Sequence, residues 1–166
     1  MKIKKTLFLV SFLLISILTF AQEADTISNQ VGKAPLNKGE KQINFGLGLN
    51  TDGLPVYAQL DFAVSRDITV SPMVALTAGN SYSFTSIGVH SDYHFNSLLD
   101  IPSNWDFYAG ANLGFRFYMS QHSGTSPLHL GLQIGGRYYW NQRWGVNLEL
   151  GGGAGFGSRI GVSRKL

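Results

Sequence analysis

The stretch Trp105-Asp106-Phe107-Tyr108-Ala109-Gly110-Ala111-Asn112-Leu113-Gly114-Phe115-Arg116-Phe117-Tyr118 alternates without a break. Trp105, Phe107, Ala109, Ala111, Leu113, Phe115 and Phe117 fall on one face. Asp106, Tyr108, Gly110, Asn112, Gly114, Arg116 and Tyr118 fall on the other. A period of two belongs to an extended chain and not to a helix, whose apolar residues recur every three to four positions. A tilted membrane-crossing strand needs only about 9–11 residues, so this segment is long enough to cross.

The same alternation extends outward on both sides. Toward the N-terminus it is carried by Tyr82–Phe95, Val56–Val64 and Gln42–Leu49, and least regularly by Ile68–Thr77. Toward the C-terminus it is carried by Leu128–Tyr139, Trp144–Gly151 and Arg159–Leu166. Turn formers separate the segments: Asp52-Gly53, Ser65-Arg66-Asp67, Gly79-Asn80-Ser81, a longer connection with Pro102, the polar loop Gln121–Pro127, Asn141-Gln142-Arg143, and the Gly-rich stretch Gly151–Gly157. Beyond the first 21 residues no apolar stripe of helical period exists. Eight strands of this length predict an all-β fold, an eight-stranded antiparallel up-and-down transmembrane barrel over residues 41–166.

The first 21 residues stand apart. Lys2, Lys4 and Lys5 precede an apolar run, Leu7–Phe20, and Ala21 closes a small-residue site. The run is shorter than the roughly 20 residues of a spanning helix, so residues 1–21 read as a signal peptide cleaved after Ala21. Residues 22–40 are polar and without period, and read as a flexible periplasmic leader. Three of the 13 basic residues lie in the signal, which leaves ten against ten acidic ones. A neutral mature chain offers no basic surface for nucleic acid. The chain has no Cys, which excludes disulfides, thiolate metal sites, a cysteine nucleophile and an acylated lipoprotein anchor.

Alternation alone also fits a soluble, ligand-binding barrel with its apolar face inward. Three features point outward instead. The polar face combines many of the chain's 20 glycines with Asp61, Asp92, Asp106, Arg116, Arg137 and Glu149, which suits a narrow, side-chain-filled lumen. Tyr93, Phe95, Trp105, Phe107, Tyr138, Trp140 and Trp144 flank the turns of one end, where an interfacial girdle belongs. Finally, the chain ends inside a strand. On the stretch Gly88-Val89-His90-Ser91-Asp92-Tyr93-His94-Phe95-Asn96 and the ending Ile160-Gly161-Val162-Ser163-Arg164-Lys165-Leu166, residues 42–166 resemble small outer-membrane barrels of the OmpA/OmpX-like class, Bacteroidetes-type. The resemblance implies an outer-membrane location, contact with membrane lipid, recognition of the last strand by the barrel-assembly machinery, and a monomer. The final residue of that class is usually aromatic and is Leu166 here. Pro72, placed mid-strand in a sheet without free edges, predicts a bulge.

Three patterns could carry chemistry. His90, Asp92 and His94 share one strand face and could offer metal or ligand contacts. Yet the two His lie roughly 13 Å apart along the strand, so a lumen network is the expected role and no metal is assigned. His90-Ser91 and His122-Ser123 are sequence neighbours and so point to opposite faces, which leaves no catalytic constellation. Gly153-Ala154-Gly155-Phe156-Gly157 lacks the following helix of a phosphate loop, and no cofactor is expected. Carboxylates are expected to approach Arg116 and Arg137, with Glu149 the nearest candidate to Arg137 across a tight turn and Asp61, Asp92 and Asp106 behind it. The resulting reading is a non-enzymatic barrel with a side-chain-plugged lumen and a structural or surface-interaction role. A narrow pore or small-ligand barrel stands as the alternative, and a lipid-modifying envelope enzyme behind it.

Overall fold

A computed structural model of the chain describes residues 31–50, 53–78, 83–119, 128–152 and 156–166. The signal segment 1–21, the leader over 22–30, Asp52, the turn at Gly79–Tyr82, the loop around Gln121–Pro127 with His122-Ser123, and Gly153-Ala154-Gly155 lie outside the described residues.

Eight strands form one closed antiparallel barrel in sequence order. They are β1 (Lys41–Leu49), β2 (Leu54–Ala63), β3 (Ile68–Ala78), β4 (Ser83–His94), β5 (Trp105–Tyr118), β6 (His129–Tyr139), β7 (Trp144–Gly151) and β8 (Ser158–Lys165). The last strand closes on the first, from Gln42 opposite Lys165 to Leu49 opposite Ser158. Closure gives every strand a paired neighbour along both edges. That is the condition for a sheet to sit in hydrocarbon, where no water is available to satisfy unpaired backbone groups. Among the described residues, no helix is long and apolar enough to cross a membrane.

The barrel is apolar outside and polar inside. Leu130 and Leu132 on β6 are 77% and 76% exposed, whereas Gln133 beside them is 3% exposed. The same holds round the sheet. Leu54, Val56, Val74, Leu76, Ile87, Phe115, Phe117, Leu148, Leu150 and Ile160 all face outward, and Gln42, Asn44, Gln59, Asp61, Ser71, His90, Asp92 and Asn112 are buried inside. In water such a molecule would expose its apolar side chains and bury its charges, the reverse of a soluble core. Small inward residues make room for large ones. A Cβ on Gly135 would meet the Tyr108 ring at 2.3 Å.

Two local features differ from expectation. Pro72 makes no bulge. The β2–β3 register runs unchanged from Leu54 opposite Ala78 to Ala63 opposite Thr69, and pairing merely lapses where Leu60 and Asp61 face Pro72 and Ser71. Proline lacks the N–H that a ladder needs, and the sheet omits those pairs instead of inserting a residue. The β4–β5 connection holds one helical turn, α1 (Asn96–Leu99), where no helix was expected. Asp100 closes it with φ 49, and its N–H donates to the Asn96 carbonyl. A single turn is too short to show a periodic stripe.

Residues 31–40 carry no sequence period, yet they lie across the mouth at which both termini of the barrel meet. Ala34 and Leu36 are buried, Val31 bridges to Pro102, and the Gly39 N–H donates to the Ala63 carbonyl. The Arg66 guanidinium donates to the Gly32 carbonyl at 2.8 Å.

Candidate functional site

The interior groups its charges into two clusters. Arg137 on β6 is the centre of the first. One guanidinium nitrogen lies 2.8 Å from Asp61 on β2, the other 3.1 Å from Asp106 on β5, and the guanidinium stacks 4.5 Å over the Tyr108 ring. Asp61 also accepts from Gln59 at 2.7 Å and Gln42 at 3.3 Å, and Gln42 in turn accepts from Tyr139 at 2.5 Å. Asp106 is shared with His94 at 2.7 Å, and the other His94 nitrogen meets Thr69 Oγ1 at 3.0 Å. Arg137, Asp61 and Asp106 are each at most 2% exposed. Charges this deep must be paired and hydrogen-bonded, because the desolvation of a lone ion is not otherwise offset.

Arg159 on β8 centres the second cluster. It bonds to Glu149, to Gln59 at 3.1 Å and to Met73 Sδ, lies 3.4 Å from His90 Nδ1, and stacks 4.9 Å over Tyr57. Tyr108 donates to Glu149 at 3.2 Å, and Tyr57 donates to Asn147 at 2.6 Å. Asp92 accepts from Gln133, whose own oxygen accepts from Asn112 at 2.8 Å.

The partner expected for Glu149 is therefore corrected. Glu149 serves Arg159, and Arg137 takes Asp61 and Asp106, two of the carboxylates expected behind it. The register explains this: Glu149 stands opposite Gly135 and Arg159, while Arg137 stands opposite Asn147 and Asp106. Arg116 sits apart from both clusters, toward the opposite mouth, over the Phe84 ring at 5.0 Å. Arg159 itself was missed among the charges. Alternation in the last strand carries the signal, because Ile160 outward requires Arg159 inward.

His90, Asp92 and His94 all point inward, but each engages a different partner, and among the described residues no three metal-ligating side chains form a site. Thr69, His94 and Asp106 have the spacing of a nucleophile–base–acid relay. Thr69 is nonetheless buried beneath Ala34, Pro35 and Leu36, with space beside it for about one water molecule, and Asp106 is already engaged by Arg137. A substrate carbonyl has no room at Thr69 Oγ1.

Outside, Tyr93, Trp105, Phe107 and Tyr138 are exposed on the end of the barrel that carries the termini. Trp105 stacks on Phe107 with centroids 5.8 Å apart and meets Tyr138 at 4.7 Å, and Tyr93 meets Phe95 edge-on at 5.3 Å. Trp140 and Trp144 are half-exposed beside the β6–β7 turn, with Arg164 5.3 Å from the Trp144 ring. This eight-stranded architecture, polar inside and apolar outside, has counterparts among solved structures. The N-terminal β-barrel domain of Pseudomonas aeruginosa OprF matches with a TM-score of 0.66 at 13% identity, over 79% of this chain and 100% of that one.

The fold is that of a small outer-membrane β-barrel.

Neisserial surface protein A matches with a TM-score of 0.54 at 15% identity, over 76% of this chain and 95% of its own. A de novo designed transmembrane barrel matches at 0.55 and 18% identity, over 79% and 98%. No family model and no curated protein matches the sequence. A designed barrel scores as well as a natural one, so the likeness speaks to architecture and leaves function to the chain's own residues.

Proposed function

We propose that this chain is a monomeric, non-enzymatic outer-membrane barrel whose lumen is plugged by its own side chains, with a structural or surface-interaction role. The observation that carries the reading is the Asp61–Arg137–Asp106 bridge, which joins β2, β6 and β5 across the lumen. Eight strands enclose just enough space for side chains, and here those side chains are bonded to one another. The aromatic end supports lipid contact, since rings with polar tips favour the headgroup level. The resemblance of the last strand supports delivery through the barrel-assembly machinery. Planar-bilayer recording tests the reading: the refolded protein should show no steady unit conductance. A large, steady conductance would replace the plugged barrel with a pore.

A further inference from the structure

We propose that Phe156 is an inward-folded apolar stopper that seals the polar interior from the mouth opposite the termini. The proposal rests on the plugged-barrel reading and names the residue that closes one side of it.

Phe156 precedes β8 in the connection from β7, where a large apolar side chain would ordinarily be exposed, yet it is 1% exposed. Two glycines make that placement possible. Gly157 takes φ +60, and a Cβ there would fall 2.2 Å from the Leu49 carbonyl oxygen, so the chain turns inward against β1 only with glycine at this position. Gly88 on β4 provides the seat, since a Cβ there would lie 2.9 Å from the Phe156 ring carbons. The ring joins Tyr57, Met73 and Ala75 in an apolar cluster inside an otherwise polar lumen.

What lies behind the ring gives this cluster a purpose. His90 is 5.1 Å from the Phe156 centroid, and Arg159 reaches from beneath to Tyr57 and Met73. His90 Nε2 and Asp92 Oδ2 have no hydrogen-bond partner among the described residues. Buried polar atoms of this kind take internal water, so this layer would fill with solution wherever solution could reach it. An apolar constriction blocks ions by dewetting, and a dry environment strengthens the ion pair behind it. The lumen thus has two barriers in series: the Phe156 cluster on one side and the Arg137 bridge on the other.

The absence of Cys allows a direct test by thiol accessibility. Ser71→Cys places one thiol on β3, opposite His90 and one inward position deeper than Met73. Ser163→Cys places one on β8 near the other mouth. Each is refolded in detergent micelles, confirmed as folded by its gel mobility without heating, and treated with a small charged methanethiosulfonate. Phe156→Ala should accelerate labelling at Cys-substituted position 71 at least tenfold and leave position 163 unchanged. Phe156→Val, a milder change, should give an intermediate rate at position 71 and serves if the Ala variant does not fold. No acceleration at 71, or equal acceleration at both positions, overturns the stopper. Steady conductance of the unmodified protein would instead overturn the plugged-barrel reading, so the two failures are distinguishable.

Discussion

Replacing Arg137 by Met removes the guanidinium while keeping most of the apolar stem that crosses Tyr108. Two carboxylates, Asp61 at 2.8 Å and Asp106 at 3.1 Å, then lose their cation together. At an effective dielectric of about 20, one such contact is worth about 4 kcal/mol before desolvation is counted. Breaking one buried pair costs about 3–5 kcal/mol, because the remaining ion is left uncompensated. Asp61 keeps Gln42 and Gln59, and Asp106 keeps His94, so the loss should stay in that range and not double. The neutral triple variant Asp61→Asn, Asp106→Asn, Arg137→Met should recover most of it, to within about 2 kcal/mol of the original protein. Urea titration of folding into lipid vesicles, read by tryptophan fluorescence and gel mobility, measures both. A loss below about 1 kcal/mol for Arg137→Met, the value of an exposed pair, would refute a buried bridge. A triple variant as damaged as the single one would show that the cost lies in packing and not in charge.

Two further outcomes follow from the faces and the second cluster. Leu132→Arg, on the lipid side of β6, should lower stability in vesicles by about 2–4 kcal/mol in the same titration, and an unchanged midpoint would place that face away from lipid. Glu149→Ala and Arg159→Ala should be non-additive by about 1–3 kcal/mol in a double-mutant cycle, whereas Glu149→Ala with Arg137→Met should couple clearly less. Coupling of Glu149 mainly to Arg137 would restore the pairing expected from sequence and contradict the observed one.

Alternation determined the strand count, the strand positions to within one or two residues and, outside the less regular Ile68–Thr77, the side of the sheet on which residues lie. Its period of two makes face assignment a matter of counting, and Trp105–Tyr118 and Trp144–Gly151 coincide with their expected bounds. The polar identity of the interior followed from the same count, because Gly, Asp, Arg, His and Asn share one parity. Partner choice did not follow. Whether Arg137 meets Glu149 or Asp61 depends on the offset between neighbouring strands and on reach across the lumen, and a guanidinium at β6 finds a carboxylate on β2 only once the sheet has closed. The relay of Thr69, His94 and Asp106 joins three strands and has no sequence signature. Residues 31–40 lack any period, so their seat across the mouth is decided by apolar contacts at Ala34 and Leu36 that exist only against a finished rim. Phe156 shows the limit most plainly. Its Gly-rich surroundings mark a turn, but the direction of that turn, into the lumen and not into solution, depends on Gly88, a residue on a strand that is not its sheet neighbour and that meets it only through closure of the barrel.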